Sequence, residues 1–284
     1  MLPLLAILIL MKKIAYLLLL SVIVLSCKDA KKETGNEKMM PVETDNGIGD
    51  GAPSLEMAFA QSVEKAHNKE DFAQHEAVSF DFKLSFGGQE QMDSKITMRT
   101  NSSKIKIENQ DGSTILFDGT DVYVTPAATE MPSARFAIFT WPYFTAMPFK
   151  LTDPGTQWSD MRQTQDGQYS RAKLTFKENT GDTAEDWYIA FTDNKTNLLS
   201  YVAYIVTFGK SIEKAEDEPH AIVYKNYEVV DGVPISNQWE FYNWSEEKGL
   251  FGAPIGEATL SNITFTDSVD FTVPTDSKKV SAPQ

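Results

Sequence analysis

The chain has 284 residues, with 26 basic and 40 acidic side chains, a formal net charge of −14, one cysteine and three histidines. An acidic surface repels phosphate backbones and offers no counterion release, which excludes nucleic acid as a partner and disfavours electrostatic adhesion to anionic lipid. The single cysteine excludes an internal disulfide.

At the N-terminus Lys12-Lys13 precede an apolar run over residues 14–25, followed by Ser26-Cys27 and a charged stretch over residues 28–33. The apolar run is too short for a bilayer span of roughly 20 residues, and its basic flank and small terminal residue have the layout of a secretory signal peptide. The residue after the cleavage point is the lone cysteine. Val24-Leu25-Ser26-Cys27 resembles the bacterial lipobox, whose cysteine takes a diacylglycerol and is acylated on its new amino terminus. That resemblance implies lipid attachment at Cys27, a membrane partner reached through the acyl chains, and residence in the cell envelope, at the outer membrane. Two or more chains hold a protein firmly. A further apolar run over residues 1–10 is accounted for if translation starts at Met11. An uncleaved anchor spanning both runs is the rival reading, and it leaves the position of Cys27 unexplained. Cleavage before Cys27 removes Lys12 and Lys13, so the charge of −14 becomes −16.

Residues 27–53 are polar and rich in Gly, Glu, Lys, Asn and Pro, the composition of a flexible tether. Ser54 caps a helix to about residue 68, with Leu55, Phe59, Val63 and Ala66 on its apolar face. The period then changes to two: residues 78–86 alternate apolar and polar side chains and end at Gly87-Gly88, a half-buried strand. Strands follow at about 91–99, 103–108, 113–117 and 121–125, separated by Asn101-Ser102, Asp111-Gly112 and Asp118-Gly119. More are expected near 168–177, 185–192, 198–208, 220–230, 235–244 and 257–265. Asp193-Asn194-Lys195-Thr196-Asn197 and Asp231-Gly232 are connections, the latter suited to a tight turn with positive φ. The fold class is mostly β: a large curved antiparallel sheet or half-open β-barrel with an N-terminal helix. Residues 132–150 break the rhythm, being dense in aromatics and interrupted by Pro142 and Pro148. They predict one or two short helices or an irregular lid across the mouth of the sheet. One domain over residues 54–275 and a disordered tail over 276–284 complete the reading.

Chemistry is sparse. His67, His75 and His220 have no zinc-ligand spacing and read as surface residues. There is no Gly-x-Ser-x-Gly elbow and no phosphate loop. The 193–197 segment departs from a calcium loop in its Lys195 and its lack of a following glycine. Abundant carboxylates support no glycosidase-like pair. No cofactor or metal is expected, and the chain reads as a monomer that is not an enzyme.

Three stretches, together with the C-terminal strand and Phe271-Thr272-Val273-Pro274, resemble the bacterial lipoprotein-sorting carriers and receptors, the Lol proteins, across residues 54–275. They are the helix leading into Phe80, Phe82, Leu84 and Phe86, the hairpin of residues 187–199, and the strand and Asp231-Gly232-Val233-Pro234 return of residues 227–236. The chain is also similar to uncharacterised lipoproteins of the Bacteroidetes type. The resemblance implies a half-open barrel with helices plugging its concave face and non-covalent binding of an apolar, lipid-like ligand. The carriers are not acylated and the acylated receptors are shorter, so fold and ligand class are carried over and the sorting role is not. Phe136, Ile138, Phe139, Trp141, Tyr143, Phe144, Met147 and Phe149 are the candidates for lid or cavity lining. The alternative is a structural or interaction lipoprotein with a filled core and no ligand.

Overall fold

The computed structural model describes residues 52–178 and 180–282; the leader, Cys27 and nearly all of the expected tether lie outside them. Ser54 caps α1 (Leu55–Ala66), its hydroxyl accepting from the Met57 N–H at 3.2 Å. Phe59, Ala60 and Val63 are buried, whereas Leu55, expected on the apolar face, is 73% exposed. Asn68 turns the chain with φ of 57° into α2 (Lys69–Gln74), a helix whose six residues are too few for a helical period to show in the sequence.

Thirteen strands form one open antiparallel sheet. They are β1 (Ala77–Phe86), β2 (Gln89–Arg99), β3 (Ile105–Asn109), β4 (Thr114–Phe117), β5 (Val122–Thr125), β6 (Thr156–Gln163) and β7 (Tyr169–Phe176), then β8 (Tyr188–Asp193), β9 (Leu199–Tyr204), β10 (His220–Val230), β11 (Val233–Ser245), β12 (Gly249–Thr266) and β13 (Lys278–Val280). The spatial order is β13-β5-β4-β3-β2-β1-β12-β11-β10-β9-β8-β7-β6. Two meanders, β1 to β5 and β6 to β12, are therefore sewn together by their first and last strands, with Phe82 opposite Leu260 in the seam. The edges are β6 and β13.

Period-two alternation decides which side is filled. Val78, Phe80, Phe82 and Leu84 of β1 join Ile96 and Met98 of β2, Trp239 and Phe241 of β11, and Ala258 and Leu260 of β12 in the main core. Residues of the opposite face, Ile189, Phe191, Ala203, Ala221 and Trp244, make a smaller cluster outside β8 to β11. Large side chains buried this fully stabilise by about 1.5–3 kcal/mol each.

Turn chemistry follows the expected positions. Asp231 and Gly232 have φ of 46° and 85°, the pair of positive values a two-residue hairpin demands. The Asp193 carboxylate accepts from the Lys195 and Thr196 N–H groups at 2.9 Å each, which closes a hairpin turn rather than a cation site. The strand expected near 198–208 stops at Tyr204. There Thr207 is drawn away, its N–H and hydroxyl both donating to the buried Asp186 carboxylate at 2.7 Å.

One strand, β6, was not expected, and one tail and one strand expectation need correction. The polar segment of β6 is an edge strand exposed along most of its length, so it carries no clean alternation. The 276–284 tail is not wholly disordered, because Lys278–Val280 pairs with β5. The β11–β12 hairpin is longer than expected, β12 beginning at Gly249. His67, read as a surface residue, is fully buried.

Candidate ligand site

β5 and β6 are consecutive in the chain but stand near opposite ends of the sheet, so residues 126–155 must cross the molecule. The crossing is made by α3 (Ala134–Ala146) and a 3₁₀ turn (Met147–Phe149), the first of the two alternatives expected, one or two short helices or an irregular lid. The helix lies on the core side of the sheet. Its rings meet both meanders: Phe139 lies 5.1 Å from Phe117 on β4, Trp141 6.0 Å from both Phe82 on β1 and Phe241 on β11, and Phe144 5.0 Å from Tyr204 on β9.

The prolines shape the end of the helix. Pro148 has no N–H for the Phe144 carbonyl four residues earlier, and the Tyr224 hydroxyl donates to that oxygen instead at 2.9 Å. Thr145 donates its hydroxyl back to the Trp141 carbonyl at 3.2 Å. Beyond the turn, the Thr152 N–H and hydroxyl each donate to the buried Glu64 carboxylate at 2.8 Å, and Lys69 pairs with it at the same distance. The opposite end is held by Arg135, which grips Asp182 through two 2.7 Å hydrogen bonds.

Between these fixed ends α3 stands as a wedge with a cleft on each flank. One cleft, of about 450 Å³, is walled by Phe136, Ala137, Trp141 and Phe144 of the helix and by Leu84, Phe86, Met92, Tyr204, Val206 and Ile255 of the sheet side, with Lys210 and His220 also lining it. The other, of about 680 Å³, is lined by Phe139, Tyr143 and Arg135 together with Phe117, Phe176, Thr180, Asp182, Thr183 and Tyr188. Both volumes fall in the range of about 300–1,000 Å³ usual for small-molecule sites. Burial pushes the hydroxyls of Tyr143, Tyr188 and Tyr204 far above the ordinary tyrosine range, so they stay neutral donors. Asp186, beneath the 180–186 segment, is raised by burial against the lowering effect of the Thr207 and Thr183 hydroxyls.

The structure separates the predicted residues into three groups. Phe136, Trp141 and Phe144 share the first cleft, and Phe139 and Tyr143 share the second. Ile138 and Met147 are fully buried, and Phe149 stacks on Phe72 of α2 at 3.8 Å with planes 4° apart; these three pack in the core. The sheet-borne walls and the Arg135–Asp182 clasp escaped the sequence reading. Alternation marks Phe86 and Tyr204 as apolar strand positions, but only the folded sheet brings β1, β2, β9 and β12 to one cleft. Among the described residues no group of three or more His, Cys, Asp or Glu is placed to hold a metal ion, and no helix is long and apolar enough to cross a membrane.

A half-open antiparallel sheet with helices laid over its core side is a Lol-like fold. A LolA superfamily protein from Nitrosomonas europaea superposes with a TM-score of 0.50 over 75% of this chain and 97% of its own, at 14% sequence identity, and carries that assignment. An outer membrane lipoprotein-sorting protein domain from Vibrio parahaemolyticus is also similar, with a TM-score of 0.43 at 11% identity over 75% of this chain and 95% of its own. No family model matches the chain, and no curated protein matches it.

Proposed function

We propose that this chain is a membrane-anchored envelope lipoprotein, acylated on Cys27 and joined through residues 27–53 to a monomeric half-barrel domain that binds an apolar, lipid-like ligand. The observation that carries the reading is the pair of aromatic-walled clefts flanking α3, of about 450 and 680 Å³. The LolA superfamily likeness supports the choice of fold for such a task. The activity is binding or carriage, with no catalytic step.

A neutral fluorescent probe, 1-N-phenylnaphthylamine, is expected to bind the full chain with enhanced emission. Phe136→Ala removes a half-buried ring from the first cleft without opening the deep core, and is expected to weaken probe binding about tenfold, the equivalent of roughly 1.4 kcal/mol. No probe binding, together with no lipid in organic extracts of the purified protein, overturns the ligand reading. Anchoring has a separate test. Cys27→Ser is expected to abolish incorporation of a palmitate analogue and to release the protein from membranes, and equal labelling of variant and wild type would reject the lipobox.

A second reading, an interaction lipoprotein without a ligand, is favoured by the tight packing at the inner end of α3. There Phe144, Pro148, Phe149 and Trp239 enclose only about 10 Å³. The probe experiment decides between the two.

A further inference from the structure

The two clefts differ in charge. The second is lined by Arg135 and Asp182, which neutralise each other. The first is lined by Lys210 and His220 and by no aspartate or glutamate. In a chain with 40 acidic residues and a net charge of −14, this apolar cleft has basic side chains and no carboxylate in its lining. No carboxylate pairs with Lys210 among the described residues.

Position reinforces the charge. Lys210 lies on the connection that follows β9 and carries Val206 and Phe208, the latter ring 5.6 Å from Phe136. His220 opens β10 opposite Tyr204, their rings 6.3 Å apart. Both lie beside this aromatic wall, and Gln91, Ser133 and Thr140 supply the remaining polar lining of the cleft. Burial and the Lys210 charge lower the His220 pKa, and the Glu218 charge and a hydrogen bond to the Glu218 backbone oppose them. The ammonium is thus felt at the imidazole, whose N–H is engaged by the Glu218 backbone, so the charged contact to a ligand oxygen falls to Lys210.

Resting on the apolar-ligand reading, we infer that the first cleft takes a single-chain amphiphile with an anionic head, its chain along the α3 wall and its head between Lys210 and His220. The apolar wall supplies the chain's burial and Lys210 a charge-assisted bond to the head. The shared chemistry is an oxyanion on one acyl or alkyl chain, whether carboxylate or phosphate. The protein's net negative charge opposes such a ligand at long range, so selectivity must come from the rim itself.

The test is displacement of 1-N-phenylnaphthylamine from the full chain by dodecanoate, dodecyl phosphate, dodecan-1-ol and dodecylammonium, each below its critical micelle concentration. Both anions are expected to displace the probe at concentrations about tenfold lower than the alcohol, with the ammonium weakest. Lys210→Glu is expected to erase the preference for anions while leaving the alcohol unchanged. Lys95→Glu, an equal charge change at an exposed position of β2, is expected to leave the order intact. Equal displacement by all four heads, or an anion preference that survives Lys210→Glu, overturns the inference and leaves the apolar-ligand reading standing. Absence of binding by the probe and by all four compounds rejects both. If only one of the two anions is preferred, the head is narrowed to that source and the inference holds.

Discussion

Trp239→Ala is expected to lower the free energy of unfolding by about 3–5 kcal/mol, read from the midpoint of a urea transition at neutral pH. Trp239 is 1% exposed, points from β11 into the main core, and holds Phe82 of β1 at 5.6 Å and Tyr224 of β10 at 5.9 Å. Truncation leaves a cavity at a point where three strands and the inner end of α3 meet, and close-packed surroundings refill such a space only in part. The indole Nε1 is buried with no hydrogen-bond acceptor. Trp239→Phe removes that orphan donor and keeps most of the ring contacts, so it is expected to cost much less, under about 2 kcal/mol. Equal losses for the two variants would mean that the N–H is bonded in solution and that the polar contact, not the packed ring, is what matters.

The second large effect is an acid dependence centred on His67. Its Nδ1 donates to the Val63 carbonyl at 2.8 Å and its Nε2 lies 3.2 Å from the Tyr227 hydroxyl, whose proton is shared with the Leu199 carbonyl at 2.9 Å. Burial lowers the imidazole from its ordinary 6.5 to about 4, with the bond to Val63 opposing in part. The folded state thus resists a proton that the unfolded chain accepts readily. The stabilising contribution is complete above pH 6.5, declines as pH falls from 6.5 towards 4, and reaches a loss of about 3 kcal/mol below that. Urea midpoints of wild type and His67→Gln between pH 7.5 and 4 are expected to diverge in slope, the variant being the flatter. Parallel profiles would show that His67 does not stay neutral and buried in the folded protein.

Legibility tracked the range of the interaction. The cap at Ser54, the alternation of residues 78–86 and the turns at Gly87-Gly88 and Asp231-Gly232 are local, and each lies where a few adjacent residues place it. The aromatic density of residues 132–150 likewise pointed to a segment unlike a strand. What that segment touches was not legible, because the partners of Trp141 come from β1 and β11, far apart in sequence and joined only by the β1–β12 seam. The burial of His67 was hidden for a similar reason. A histidine near the end of an expected helix looks solvated until Tyr227 and Phe149 are found against its ring. Edge strands such as β6, wetted on most positions, carry too little hydrophobic contrast to be read by period at all.

The strand order also sets a timetable for a chain that emerges from its N-terminus. When β1 to β5 have been made, the outer flank of β1 waits for β12, and the outer flank of β5 waits for β13. The two strands that cover this first meander are the last two to be synthesised. Until then it exposes backbone donors and acceptors on both sides, the arrangement most open to wrong pairing with another chain. The early half cannot complete its own sheet, and the emerging chain stays unlocked until residues 249–280 follow it. Contacts of such long sequence separation make the final closure slow. A C-terminal truncation before β12 is therefore more damaging than its length suggests, since it removes the fastening of residues made at the start.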